Sequence, residues 1–294
     1  MLGVVNLDKP VGPTSHDMVD LVRRLSGMRR IGHAGTLDPL ASGVLPILVG
    51  AATRFSDDLT GGPKRYEAVI RLGIRSATDD AQGPLEVVGP PPDLATVTEA
   101  LPTFVGSFEQ RPPAFSARKT GGVVAHRAAR AGKPVESPAR SVTVESIDLL
   151  GSERGDSWLD LRCDIRCGPG TYIRSIARDL GDRLGCGGHL HALRRTEAAG
   201  LRVADAITPA RLEELSVAGR LDEAILPAGP LLHLPELRLD AEAAGRFIHG
   251  SAIRLGAGGS GRHAIFSEGG LLGIGILRDG LLEPRTVIEP EGTA

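Results

Sequence analysis

Two stretches that alternate with period two constrain the fold of this chain more than any other feature. In 158–167, Leu159, Leu161, Cys163, Ile165 and Cys167 fall on one side, and Asp160, Arg162, Asp164 and Arg166 on the other. In 65–73, Tyr66, Ala68, Ile70 and Leu72 oppose Glu67 and Arg71. Successive side chains of a strand point to opposite faces, so both stretches read as strands with one covered face. A turn, Gly168-Pro169-Gly170, follows the first and opens a helix from Thr171. The stripe of that helix is Ile173, Ile176, Ala177, Leu180 and Leu184, closed by Gly185. A second helix starts at Thr14 or Ser15, carries Met18, Val19, Val22 and Leu25, and stops at Gly27. Shorter signals predict strands at 4–7 and 141–150 and helices at 97–104 and 208–218. Pro227, Pro230 and Pro235 mark a linker. Beyond it, short apolar segments separated by glycine clusters have the texture of a small β-rich domain.

The stretch 32–45, Gly-His-Ala-Gly-Thr-Leu-Asp-Pro-Leu-Ala-Ser-Gly-Val-Leu, holds one acid, Asp38, among small and apolar residues. A solvated loop is built from polar residues; here Leu37, Leu40, Val44 and Leu45 favour burial. A carboxylate held against apolar surroundings needs a cation or donors to meet it, which makes Asp38 a functional candidate. Pro39 biases Asp38 towards extended backbone, and Gly35 and Gly43 allow tight turns or the close approach of another segment. Taken alone, an Asp-Pro pair is more often an ordinary turn. Arg174, in the first turn of a helix that follows a glycine-rich turn, offers a planar fork for a carboxylate or phosphate. The only two tyrosines, Tyr66 and Tyr172, lie next to basic residues, a placement that suits stacking on a planar ligand.

Composition narrows the function classes. The chain has 294 residues, 41% hydrophobic and 24% charged, as in a globular protein. No apolar run is long enough to span a membrane, and Met1–Asn6 lack the pattern of a signal peptide, so a cytoplasmic location is expected. Cys163, Cys167 and Cys186 form no metal-ligand pattern, and reduced thiols with no metal site are expected. The net charge of −2 does not announce a nucleic-acid binder. Local balance does: Arg111, Arg118, Lys119, Arg127, Arg130, Lys133 and Arg140 outnumber Glu109 and Glu136 in a stretch rich in Gly and Pro.

These segments, in this order, resemble the bacterial tRNA pseudouridine-55 synthase family, that of pseudouridine synthase B. The resemblance runs through Asn6–Pro10, Gly32–Leu45, Lys64–Tyr66, Ser116–Lys119, Gly168–Arg174 and Leu184–Arg195. It implies an α+β fold: a long, mixed, mostly antiparallel sheet flanked by helices, as residues 1–229, with a mobile basic insertion at about 110–140 that clamps the T-stem. Residues 230–294 correspond to a small RNA-binding domain of the PUA type. The implied reaction turns uridine 55 of the tRNA T-loop into pseudouridine without a cofactor. Asp38 is then the catalytic nucleophile or base and Arg174 its partner. Tyr66 stacks on the flipped base and accepts or relays the C5 proton. Tyr172 contacts the base, Leu193 closes the pocket, His33 fills the gap left in the RNA stack, and Lys9 supports the loop or a phosphate. A monomer acting on tRNA without protein partners follows.

Three other readings are open. A non-catalytic tRNA chaperone would use the basic segment and the β-rich tail. A guide-RNA-dependent subunit is disfavoured by the absence of long charged tails. A hydrolase pairing His33 with Asp38 lacks a second carboxylate or nucleophile.

Overall fold

The computed structural model describes residues 2–114, 138–256 and 259–288, and the backbone of 119–120 and 123–124. The basic stretch expected to act as a clamp, and most of the Ser116–Lys119 motif, lie outside the described residues.

β1 (Gly3–Lys9) leads into the helix Ser15–Ser26. Thr14 caps it: its hydroxyl accepts from the Asp17 N–H, and the Asp17 carboxylate accepts from the Thr14 N–H at 2.7 Å. Gly27 ends it with φ at 67°. β2 (Ile31–His33) and β3 (Ala41–Val49) flank the Asp38 loop. β4 (Lys64–Leu72) is followed by the hairpin β5 (Ile74–Ser76) and β6 (Leu85–Val87). The expected 97–104 helix instead runs Leu94–Ala100, because Asp93 caps it on Thr96 N, and Leu101–Phe104 tighten to a 3-10 turn around Pro102. β7 (Gly106–Gln110), the two-residue strands β8 (Lys119–Thr120) and β9 (Val123–Val124), β10 (Arg140–Arg154) and β11 (Leu159–Cys167) precede the helix Ile173–Arg183. β12 (Gly188–Ala198), β13 (Leu201–Arg202) and the helix Pro209–Val217 come next.

The main sheet runs β1-β3-β12-β4-β11-β10-β7, with β2 on β3 and β13 on β12. All its pairings are antiparallel except β12 with β3, where Arg195 stands opposite Gly43. That junction requires glycine: at φ 101°, a Cβ on Gly43 would sit 2.2 Å from the Arg195 carbonyl oxygen. The period-two faces fall as the sequence predicts. Ile70, Leu72, Leu161, Cys163 and Ile165 enter the core with Val19, Val22, Ile176 and Leu180 from two helices. The opposite face carries cross-strand ion pairs, Arg71–Asp160 at 2.7 Å and Arg65–Asp164 at 2.6 Å. All three cysteines are buried and free.

A second sheet, β14-β16-β17-β18-β15, is built from Glu236–Arg238, Ile253–Arg254, Gly261–Ser267, Gly270–Arg278 and Leu281–Val287, numbered β14 to β18 in chain order. The helix Ala241–Ile248 packs on it through Phe247, against Ile265, Leu277 and Leu282. The two sheets share apolar packing. Val4, Val44, Leu48, Phe55 and Leu59 form one cluster with Ala228, Leu232, Ala264, Ile274 and Ile288.

Two lysines are buried where strands of the main sheet begin or end. The Lys9 amine donates to the Pro10 and Pro13 carbonyls, both at 2.8 Å, and the Lys64 amine to the Thr60 and Gly62 carbonyls, both at 2.7 Å. Burial lowers both from 10.5 to about 8; Arg195 adds repulsion, and Asp38 partly opposes the shift at Lys9.

The shared cluster predicts that Ile274→Ala, at a fully buried site, costs about 2–5 kcal/mol and lowers a single unfolding transition reported from both sheets. A separate, earlier transition of the second sheet would contradict this. The lysines predict a pH signature. Between about 8 and 10.5 the unfolded chain keeps a proton on Lys64 that the folded chain has lost, so folding gains stability as pH rises through that window. The buried cysteines act in the opposite sense, because their thiols stay protonated in the folded state. The comparison that isolates the lysine is with Lys64→Met: wild-type stability relative to this variant should climb across the window. A constant difference in urea unfolding would refute it.

Candidate active site

Asp38 sits in a tight turn closed by the Ala41 N–H donating to the Asp38 carbonyl at 3.0 Å, with Pro39 at the position where its fixed φ fits. The segment around it is bonded by its neighbours on all sides. The Ser15 hydroxyl accepts from Leu37 N–H at 2.8 Å and donates to the Leu37 carbonyl at 2.9 Å. The Pro39 carbonyl accepts from Gly12 N–H at 2.8 Å. Arg195 donates to the carbonyls of Gly35, Thr36 and Val44. Leu37 is buried as its sequence context predicts, whereas the Asp38 side chain is 38% exposed and borders a cavity.

Arg174 comes from the other side. It is the second residue of the helix that follows β11, and the register of that helix is set at its cap. There the Gln110 side chain accepts from the Tyr172 N–H at 2.8 Å and donates to the Tyr172 carbonyl at 3.1 Å. Arg174 Nε meets Asp38 Oδ2 at 3.0 Å. Its Nη1 donates to the Thr78 carbonyl at 3.3 Å and lies 3.6 Å from Asp80 Oδ2. One guanidinium is therefore shared between a half-exposed and a buried carboxylate. Asp80 is fixed in turn, its Oδ1 accepting from the Thr78 hydroxyl at 2.6 Å and Gln82 N–H at 3.0 Å. Asp79 between them has φ at 61°, an uncommon conformation for a residue with a side chain. Arg178, one turn beyond Arg174, pairs with Asp79 at 2.9 Å, against a burial effect that raises the Asp79 carboxyl.

The cavity holds about 310 Å³ and is lined by Asp38, Tyr66, Tyr172, Arg174 and Leu193, with Lys64 and Arg195 in its wall. Tyr66 is 7% exposed; burial raises its phenol, partly offset by Arg195, so it is protonated at neutral pH. The structure thus brings together five of the seven residues singled out from the sequence. Lys9 and His33 do not line the cavity. Lys9 is fully buried, with its amine on main-chain carbonyls. His33 ends β2; its Nδ1 is buried without a hydrogen-bond partner, and burial lowers its pKa, with repulsion from Arg195 and His16 adding to the shift. Among the described residues no group of three or more His, Cys, Asp or Glu could hold a metal ion, and no helix is long and apolar enough to cross a membrane.

Sequence reasoning missed Asp80, Ser15, Gln110 and Arg195. Asp80 reads as part of a polar turn, Ser15 as a cap, and Gln110 as the edge of a basic stretch; no local signal separates them from those roles. Arg195 reads as one of two adjacent arginines in a stretch of mixed polarity, and only its burial separates it from Arg194.

The site thus joins a carboxylate paired with an arginine, a protonated phenol and the apolar side chain of Leu193 around one cavity. Comparisons with known proteins identify the family. Residues 23–173 match the N-terminal domain of the TruB family pseudouridylate synthases. Residues 174–233 match the tRNA pseudouridylate synthase B C-terminal domain, and 235–288 the C-terminal part of pseudouridine synthase II TruB. The tRNA pseudouridine synthase B of Dechloromonas aromatica is 43% identical over 290 residues, covering 98% of this chain and 95% of that one. That of Acaryochloris marina is 44% identical over 293 residues, covering 98% and 99%. Among solved structures, an H/ACA RNP bound to a substrate RNA containing 2′-deoxyuridine superposes with a TM-score of 0.73 at 26% identity, over 99% of this chain and 86% of that one. A Cbf5-Nop10-Gar1 complex gives 0.73 at 27% identity, over 98% and 85%. The chain therefore belongs to the TruB family, the tRNA pseudouridine synthases B, which isomerise uridine to pseudouridine.

Proposed function

We propose that the chain isomerises uridine 55 in the T-loop of tRNA, with Asp38 as the catalytic carboxylate. The reaction breaks the N1–C1′ bond, turns the base, and forms a C5–C1′ bond. C5 gives up its proton and N1 gains one, so the sum is an isomerisation that consumes nothing. The observation that carries the reading is the Asp38–Arg174 pair at the wall of a cavity that also holds Tyr66, Tyr172 and Leu193. A base buried in a folded loop has to be extracted before it can react there. Tyr66 then serves as the stacking surface and relays the C5 proton, Tyr172 contacts the base, and Leu193 closes over it. Arg174 orients Asp38 towards the ribose, and Asp80 holds Arg174. Lys9 supports the Asp38 loop through the Pro10–Pro13 turn, whose Gly12 N–H bonds the Pro39 carbonyl, and His33 occupies the place the base leaves in the RNA stack.

Residues 1–229 are proposed as the catalytic unit and 230–294 as a PUA-like unit that grips the same RNA. A larger cavity of about 870 Å³ is lined by residues of both, among them Arg65, Arg166, Arg202 and Arg262 and the acids Asp57, Asp58, Glu145 and Glu197. Arg65 and Arg262 are engaged by carboxylates, and Arg166 and Arg202 are the cations that suit a phosphate backbone. The chain acts in the cytoplasm as a monomer on bare tRNA, and its grip on the T-stem-loop also assists tRNA folding.

The direct test is tritium release from an unmodified tRNA transcript labelled at uridine C5, with no other protein or RNA present. Asp38→Asn should lose release by about 10³-fold or more while binding tRNA within about threefold of wild type. Retained release in that variant would remove Asp38 from the chemistry; tRNA refolding that survives it would mark the folding role as independent of catalysis. Asp80→Asn should slow release by about 10²-fold through misplacement of Arg174, with tRNA affinity kept. An unchanged rate would show that the Asp80 contact orients nothing that matters.

A further inference from the structure

Arg195 is 1% exposed, and among the described residues it makes no ion pair with a carboxylate. Its Nε donates to the Val44 carbonyl at 2.7 Å, Nη2 to Gly35 at 2.9 Å and Nη1 to Thr36 at 3.4 Å. These carbonyls come from both arms of the segment that carries Asp38: two before it, one after it on β3. The Arg195 backbone is itself locked against Gly43 in the parallel junction. Ser15, 3% exposed, holds the same loop from the opposite side through both main-chain groups of Leu37, the residue before Asp38.

Taking a cation out of water is costly, and a cation bonded to neutral groups recovers less than one in an ion pair. Lys9 and Lys64 are buried in the same manner, and Arg195 repels both. Stability alone does not account for a buried guanidinium spent on the carbonyls of one loop. The two lysines bind carbonyls of neighbouring turns, Pro10 and Pro13 for Lys9 and Thr60 and Gly62 for Lys64, whereas Arg195 binds carbonyls of the segment that carries Asp38, and so bears on the direction in which Asp38 leaves the backbone. Of the three, only arginine carries a planar fork with five donors, which lets one side chain bind three divergent carbonyls.

We propose that Arg195 and Ser15 are positioning residues that act through the Asp38 loop, aiming its carboxylate at Arg174 and at the sugar of the substrate. The proposal rests on the reading of Asp38 as the catalytic group. It requires the shape of the guanidinium and not merely its charge.

The test uses full-length Arg195→Lys and Ser15→Ala, singly and together. For each, the thermal midpoint, tRNA affinity, KM and the single-turnover rate of tritium release are measured. Arg195→Lys should slow the single-turnover step about 10²-fold and Ser15→Ala about 10-fold, with KM and tRNA affinity within about threefold of wild type. The double variant should lose less than the product of the two, because both act on one loop. A lysine variant with wild-type rate, rate losses matched by losses in affinity, or fully multiplicative effects would overturn the proposal. If Arg195→Lys does not fold, Ser15→Ala decides: an unchanged rate overturns it, and a slower rate at constant KM supports it. Wild-type protein that releases no tritium would instead overturn the Asp38 reading itself.

Discussion

The contact between Asp38 and Arg174, at 3.0 Å, is what the main sheet is arranged to produce. The two residues belong to elements far apart in sequence: a turn between β2 and β3, and a helix that leaves β11. They meet because β12 inserts between β3 and β4 and joins strands that otherwise have no reason to be neighbours. The geometry is then passed outward. Arg174 is held by Asp80 and the Thr78 carbonyl, Asp80 by Thr78 and Gln82, and the cap of the Arg174 helix by Gln110. The chain of contacts runs from the cavity wall through the buried Arg174 and Asp80 to the half-buried Thr78 and the exposed Gln82.

Much of this arrangement is legible in the order of residues alone. The period-two faces of 65–73 and 158–167, the Thr14 and Gly27 helix ends, and the close approach at Gly43 are local consequences of residue type. Asp38, Tyr66, Tyr172 and Arg174 also stand out in the sequence, Leu193 follows from the family resemblance, and all five line a single cavity. The insertion of β12 is not legible, because strand order depends on packing between distant segments and leaves no periodic trace. Asp80 escapes notice for a related reason. In Ser76-Ala77-Thr78-Asp79-Asp80 it has the composition of a solvated turn, and only the partner it meets reveals it. The helix at 94–100 shows the limit of apolar spacing as a guide: its start is decided by a capping aspartate and its end by a proline.

A second theme is the use of buried side chains to satisfy main-chain groups in loops. Unpaired carbonyls and N–H groups are expensive to bury, which is why loops usually run over the surface. Here the Asp38 segment is drawn into the body of the protein, and Ser15, Arg195 and the Gly12 N–H supply the partners that water would have given. A loop held this way has the stiffness of a strand while keeping an irregular path, and irregularity is what lets a short side chain such as aspartate project into a cavity.

The packing common to the two sheets has a consequence for recognition. The sheets are joined through Phe55, Leu232, Ile274 and their neighbours rather than by a bare tether. On the proposed reading, an RNA held by both sheets meets two surfaces whose spacing is set by that shared packing, so its length and bend are read together. Discrimination of that kind is settled when the protein folds, before any partner arrives.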